Sequence, residues 1–569
     1  MGEESTKKVG PVFYWSVGIL AVIILIGIIS PTFLESTTAS IQAAISSTLG
    51  WYYLIIVTLF VLICLYLIIS PYGKIKLGKP DEKPEYNYLT WFALLFSAGM
   101  GTGLLFWGTA EPISHFALSS PTVEEGTNQA ALESMRFVFF HWGIHAWGIY
   151  AMVAISLAFF KFRREAPGMI SATLSPIMNT KGSTGKVIDV IAIVATVSGI
   201  ATTLGFGAAQ MNGGLSYLWG VPNTFWVQLI IILIITVIFL ISASTGINKG
   251  IRILSNSNMI LALVLLLFFM VFGSTIYSLN LFTDTLGRYI QRLPEMSFRI
   301  SPLNEENRTW INDWTIFYWA WWMAWSPYVG TFIARVSRGR TIREFTIGVL
   351  LVPSLVGFIW FAFLGGTAID FEMSGVTNLA PLATEQMLFG VLEAMPLSLI
   401  TSVLAIVLIA FFFITSGDSA TFVLGMQSTN GTLNPSTKIK FTWGIMLSAI
   451  AIVLLYSGGL QALQNTMIIA ALPFSIIMIL MAYSLIKALS QEKEEIEQSR
   501  AKRRQRKEYR IQKQQINKEK RKEKREVNEQ KKEEKRNVSE RKKQEKRDVK
   551  KAIIEDAPEE RESPTKKDD

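Results

Sequence analysis

Residues 317–327 read Phe-Tyr-Trp-Ala-Trp-Trp-Met-Ala-Trp-Ser-Pro, so Trp319, Trp321, Trp322 and Trp325 fall within seven positions of an apolar run. In lipid, tryptophan normally sits at the interface, where ring and N–H are both satisfied. A mid-span cluster has two readings. One is aromatic packing between helices. The other is a cationic ligand held by ring faces, worth about 0.5–1 kcal/mol when exposed and about 2 or more when desolvated. At 100° per residue, Trp321, Trp322 and Trp325 share about 100° of arc, and Trp319 points away. A second group, His141-Trp142-Gly143-Ile144-His145-Ala146-Trp147-Gly148-Ile149-Tyr150, spreads Trp142, Trp147 and Tyr150 over about 140°. Two helices can therefore each turn three rings toward one point. A box of rings with no carboxylate suits a quaternary ammonium, which carries charge but no N–H donor. His141 and His145 would suit a metal only with a third ligand, and none is evident nearby. They read as satisfied bundle residues.

Two further stretches carry chemistry. Ser97-Ala98-Gly99-Met100-Gly101-Thr102-Gly103 alternates three glycines inside an apolar segment. Each glycine weakens a helix by about 1 kcal/mol relative to alanine. A break here would free backbone groups at membrane depth, which is tolerated only where they line a cavity or bind something. Close helix packing through Gly99 and Gly103 is the competing reading. The run Phe411 to Ser419 places Thr415, Ser416 and Ser419 on one helix face. Hydroxyls with carbonyls make a hard-oxygen shell suited to an alkali cation, against the alternative that they bond back to their own helix. Asp418 is costly at membrane depth. It is expected near the cytoplasmic end, paired with a base such as Arg335.

The elements that must position these residues follow from composition. The chain has 569 residues, 50% of them hydrophobic and 17% charged, with mean hydropathy +0.35. That balance points to a membrane protein. Residues 491–569 hold 29 of the 54 basic and 21 of the 44 acidic side chains. The net +10 is therefore mostly a tail property, and poor grounds for nucleic-acid binding. The single Cys64 excludes a disulfide framework within the chain. Runs of about 20 apolar residues predict twelve spans: 12–30, 51–70, 88–108, 138–160, 187–207, 224–243, 255–278, 311–332, 345–367, 399–420, 440–457 and 464–486. Loops 31–50, 208–223 and 368–398 lack Lys and Arg, whereas the alternate loops are basic. That places both termini in the cytoplasm. Residues 279–310 are the exception, long, mixed in charge and amphipathic, and read as a helix on the outer surface. The first span lacks a small-residue cleavage site and reads as retained. Beyond residue 490, mixed charges at helical spacing suit either a solvated helix or a disordered tail. The sharper reading is an arm that touches anionic lipid or a neighbouring subunit and senses ionic strength.

Taken together, Ala98-Gly99-Met100-Gly101-Thr102-Gly103 with Gly108 and Glu111-Pro112, His141 to Trp147, and Trp319 to Pro327 with Gly330 and Arg335-Val336-Ser337-Arg338-Gly339-Arg340 resemble the betaine/carnitine/choline transporter family, from about residue 10 to 486. The resemblance is to a sodium-coupled glycine betaine carrier. It implies an all-α membrane fold of twelve transmembrane helices. Two extra helices (12–87) precede an inverted repeat of five plus five (88–278 and 311–486), with 1–11 and the charged tail 487–569 cytoplasmic. It implies an aromatic cage of Trp142, Trp147, Tyr150, Trp321, Trp322 and Trp325, with substrate contacts at Gly99, Gly101 and Gly103. It implies one Na⁺ at carbonyls of Ser97, Met100 and Phe412 and hydroxyls of Thr415 and Ser416, and a second at Ser198 and Thr202 near Tyr328. It further implies no enzymatic activity, no cofactor beyond the coupling ion, a homotrimer in the cell membrane, and osmotic regulation through the tail. Gly103, where choline carriers often place an acid, favours glycine betaine. Thr102, where an aliphatic residue is frequent, departs from the pattern and leaves neighbouring substrates open. A choline or carnitine carrier and a membrane osmosensor are the alternatives.

Overall fold

The computed structural model describes residues 9–99, 101–245, 248–432 and 434–555. It divides into two units, Met1–Ser490 and Gln491–Asp569. Among the described residues the first unit is helical, with one isolated bridge between Lys76 and Thr341. Helix α1 spans Pro11–Ile29 and α2 spans Pro31–Ile69, each opened by a proline at its first turn. There the missing N–H costs nothing. The loop expected at 31–50 is instead the first half of α2. Its Ser, Thr and Gln residues look loop-like, but no glycine or proline interrupts 32–49, so nothing stops the helix.

Helices α3 (Tyr88–Gly99) and α4 (Thr102–Ile113) meet at the alternating glycines, bent by 70°. The expected break is present. A second break, at Gly143, separates α5 (Asn128–Trp142) from α6 (Ile144–Ala158). Then come α7 (Ser183–Trp219), α8 (Phe225–Thr245) and α9 (Asn248–Phe272). The expected surface helix begins earlier than 279: α10 runs Thr275–Phe298, bent by 106° from α9. A short α11 (Glu305–Ile311) and a π-turn lead into α12 (Phe317–Val336), which carries the tryptophans and stays unbroken through Pro327. Helices α13 (Ile342–Met373), α14 (Met387–Glu393) and α15 (Ser398–Ser428) follow. The core forms where α12 lies against α6, α7 and α3, and α15 against α7.

The last helix, α16, runs Thr437–Glu555 with non-helical backbone at Gly458 and Gly459. Eight described helices are long and apolar enough to cross a membrane, or ten if each bent pair is one span. Twelve spans are more than this count. Helix α12 is not among the eight, because its tryptophans, tyrosines and serine dilute hydropathy, and α16 counts once despite its break. Asp418 also departs from expectation. Its carboxylate accepts from Ser242 Oγ at 2.7 Å and feels the charge of Lys440, so the expected Arg335 pairing is replaced by neighbours on α8 and α16.

In the second unit, every residue from 501 to 555 is helical and exposed. The sequence there repeats every eleven residues, from Ile516 to Val527, Val538 and Val549. Eleven residues are close to three turns, so each repeat position keeps its face. Lys520, Arg521, Lys524 and Arg525 recur as Lys531, Lys532, Lys535 and Arg536, then as Lys542, Lys543, Lys546 and Arg547. These four positions occupy about 130° of the helix, making one continuous basic face.

Gly459 has φ 61° and ψ −145°, a region essentially closed to residues with a Cβ and costing of order 1–3 kcal/mol. No atom lies within 4 Å of a Cβ built there, so the penalty is purely conformational. Gly459→Ala should therefore lower the thermal unfolding midpoint in detergent, whereas Gly10→Ala, also open but at ordinary φ, should leave it unchanged.

Candidate functional site

The six rings come together, although the break at Gly143 places Trp142 on α5 and Trp147 and Tyr150 on α6 rather than on one helix as expected. Trp321 and Trp322 stack with ring centroids 5.0 Å apart and planes 7° apart. Trp142 meets Trp322 edge-on at 4.9 Å, and Tyr150 meets it at 5.9 Å. Trp147 joins through Tyr150 at 5.5 Å, and Trp325 through Trp321 at 6.5 Å. Trp319 faces elsewhere, stacked on His145 at 5.5 Å. Three polar atoms in the cluster, Trp321 Nε1, Trp325 Nε1 and Tyr150 Oη, are buried without a hydrogen-bond partner. Such groups are costly to leave unmet. A ligand with a carboxylate beside its cation would satisfy them. Phe206, edge-on to Trp321 at 5.4 Å, and Tyr318, stacked near Trp322 at 5.9 Å, enlarge the group. No sequence signal tied either to it.

A carboxylate does stand at this box, contrary to expectation. Glu111 on α4 is fully buried. Its Oε2 accepts from Trp142 Nε1 at 2.8 Å and from the Tyr318 hydroxyl at 2.5 Å. Its Oε1 lies 2.7 Å from His141 Nδ1 and 3.4 Å from His115 Nε2. His141 Nε2 reaches Thr315 Oγ1 at 3.0 Å. So His141 has the neighbours that sequence did not reveal. Glu111, His115 and His141 bring one ligand atom each within 4.8 Å of one another. His145 parts from them and meets Ser297 Oγ at 3.0 Å. Because both Glu111 oxygens are engaged by ring donors, its evident work is to hold Trp142 and Tyr318 in register. A lone acid inside an apolar run was the available signal.

The glycine break faces the rings. A Cβ at Gly103 would stand 2.5 Å from Trp321 Cη2, and one at Gly101 3.0 Å from Trp325 Cη2 and 3.8 Å from Ser416 Oγ. Gly101 thus brings the break, the box and α15 together. Gly99 closes α3 and Ser97 lies in its last turn, while Met100 lies outside the described residues. On α15, Thr415 Oγ1 donates back to Phe411 O at 2.9 Å or Phe412 O at 3.2 Å and accepts from Asn258 Nδ2 at 3.0 Å. Asn258 Oδ1 is buried without a partner, a spare oxygen beside Thr415 that the sequence reading missed. Of the second candidate cation set, Ser198 and Thr202 lie one turn apart on α7. Thr202 Oγ1 bonds Ser198 O at 2.9 Å or Leu463 O at 3.1 Å, and the Tyr328 ring meets Trp325 edge-on at 5.7 Å.

Two substitutions separate these roles. Trp325→Leu should weaken binding of a quaternary ammonium ligand about 30-fold, the equivalent of about 2 kcal/mol, while Trp319→Leu should change it less than threefold. Glu111→Ala leaves the Trp142, Tyr318 and His141 donors unmet, at about 1–3 kcal/mol each, and should lower both the melting temperature and ligand affinity. Calorimetric titration and thermal unfolding check both. Equal losses for the two tryptophans would contradict the face assignment.

The comparisons with known proteins agree with this geometry. The model of the betaine/carnitine/choline family transporters matches residues 11–494. The glycine betaine transporter OpuD of Bacillus subtilis is 58% identical over 495 residues, covering 87% of this chain and 97% of that protein. The ectoine/hydroxyectoine transporter of Virgibacillus pantothenticus is 42% identical over 494 residues, covering 86% and 98%. A probable glycine betaine transporter of Desulfitobacterium hafniense is 43% identical over 491 residues, covering 85% and 98%. The family match stops where the charged tail begins. On these residues and this geometry, the chain belongs to the betaine/carnitine/choline transporter family.

Proposed function

We propose that this multi-pass membrane protein imports glycine betaine, coupled to Na⁺, by alternating access. The observation that carries the reading is the box itself: ring faces for a quaternary ammonium, with unmet Trp and Tyr donors for the carboxylate at its other end. Two of the relatives above bear the name of the same solute. Gly103 supports betaine over choline, because an acid there would repel the betaine carboxylate.

In this reading twelve spans form an inverted repeat of five plus five after two extra helices, with both termini in the cytoplasm. The break between α3 and α4 supplies backbone groups at mid-membrane, as discontinuous helices do in many transporters. Na⁺ takes the hydroxyls of Thr415 and Ser416 with carbonyls of Ser97, Met100 and Phe412, and Asn258 Oδ1 offers a further oxygen. An ion there would tie α15 to the break, so that Na⁺ and betaine favour the same arrangement of helices. Ser198, Thr202 and Tyr328 stand as a weaker second set. The homotrimer and osmotic regulation remain part of the proposal. The basic face of the tail suits an anionic leaflet, where each Lys or Arg contributes about 1 kcal/mol, screened by salt.

Uptake of radiolabelled betaine into proteoliposomes should require an inward Na⁺ gradient, and Thr415→Ala should raise the Na⁺ concentration for half-maximal uptake at least tenfold. Equal accumulation with K⁺ in place of Na⁺ would remove sodium coupling. Competition by betaine, ectoine, choline and carnitine ranks the substrates. Removing residues 491–569 should preserve uptake and shift its dependence on external osmolality.

A further inference from the structure

One aromatic layer beyond the ring box, where the middle of α5 meets the end of α10, two guanidinium groups lie against a single ring. Arg136 Cζ is 4.9 Å and Arg299 Cζ 5.2 Å from the Phe137 centroid. Arg299 also lies 5.4 Å from the Trp310 centroid. Trp310 itself stacks on His141 at 5.9 Å, with planes 29° apart, and so separates this cluster from Glu111. Arg136 is 1% exposed.

The buried acid at hand is Glu133, and it is fully subscribed. It pairs with Arg136 Nη2, accepts from Thr122 Oγ1 at 3.0 Å and Gln129 Nε2 at 3.3 Å, and lies 3.9 Å from the half-exposed Arg292. Outside it, Glu295 is exposed and Arg288 is spent on Asp284. Arg299 Nη2 donates to Pro121 O at 2.5 Å and Asn307 Oδ1 at 2.9 Å. Four buried N–H-bearing nitrogens remain without a partner: Arg136 Nε and Nη1, Arg299 Nη1, and Trp310 Nε1. Burial, and then the neighbouring Arg136 charge, pull the Arg299 guanidinium down to about 10, which leaves it charged at neutral pH. Buried Arg136 and half-buried Arg299 therefore share one buried anion. Guanidinium cannot shed its charge at neutral pH, and an uncompensated buried charge is strongly unfavourable.

We propose that Arg136, Arg299 and Trp310 form a binding site for a small monoanion, either a halide or a carboxylate. The missing negative charge and the acceptors for the orphaned N–H groups then come from one ligand. Chloride from the medium would act as a resident counterion. A carboxylate would make the cluster a docking point for zwitterionic solutes, one layer from the ring box. The inference stands on charge and hydrogen-bond counting, independently of the transport reading.

The test uses full-length protein in chloride-free methanesulfonate buffer at constant ionic strength. Sodium chloride, sodium bromide and sodium acetate are titrated in turn, with tryptophan fluorescence and the melting temperature as readouts. Acetate lacks an ammonium group, so it reports this cluster rather than the box. A saturable response to chloride or bromide assigns a halide, and one to acetate assigns a carboxylate. Either response should weaken at least tenfold in Arg299→Gln, which lies outside the helices, and in Arg136→Gln where that variant folds. Responses that stay linear with all three salts, or that are unchanged in Arg299→Gln, overturn the proposal.

Discussion

A carboxylate shut away from water persists only if donors meet its oxygens, and the arrangement around Glu111 shows what such a group accomplishes once they do. Trp142 Nε1 and the Tyr318 hydroxyl point at one oxygen, and His141 and His115 face the other. These donors come from α5, from the head of α12, and from the turn that follows α4. One buried acid thus ties together the helices that carry the two halves of the ring box. Trp142 and Trp322 then meet edge-on, the orientation that ring quadrupoles favour. Trp142 Nε1 is held by Glu111 and Trp322 Nε1 by the His141 carbonyl, which fixes the orientation of both rings.

The glycine break plays the complementary part. Helix α4 could not approach α12 as closely with side chains at 101 and 103, since a Cβ at either meets a tryptophan ring. The same absence of side chains lets the chain bend by 70°. Backbone groups, tryptophan rings and the Ser416 hydroxyl come within reach of one small volume.

The sequence revealed these parts unevenly, for physical reasons. The split of four tryptophans into three on one face and one turned away followed from 100° per residue, and Trp319 stacks on His145 accordingly. The break at Gly99 to Gly103 followed from the cost of glycine in a helix. Glu111 did not emerge as the anchor, because a helical wheel compares residues on one helix and Tyr318 is 207 positions away. The partner of Asp418 was misjudged for a related reason: Arg335 and Lys440 are both basic residues at loop ends, and only packing decides between them. Helix α2 exceeded its expected length because small polar residues, which resemble a loop in composition, are compatible with helix when glycine and proline are absent. The basic face of the tail became legible only when its charges were placed on a helix of eleven-residue period.

Whether the rings hold a cation or merely an apolar shape is the central question about this site. Replacing the ammonium nitrogen of glycine betaine by carbon gives 3,3-dimethylbutanoate, with the same shape and carboxylate but no positive charge. Cation attraction at a desolvated face is worth about 2 kcal/mol or more. Equilibrium binding to the purified protein should therefore be at least about 30-fold weaker for the carbon isostere than for betaine. Equal affinity for the two would contradict the account.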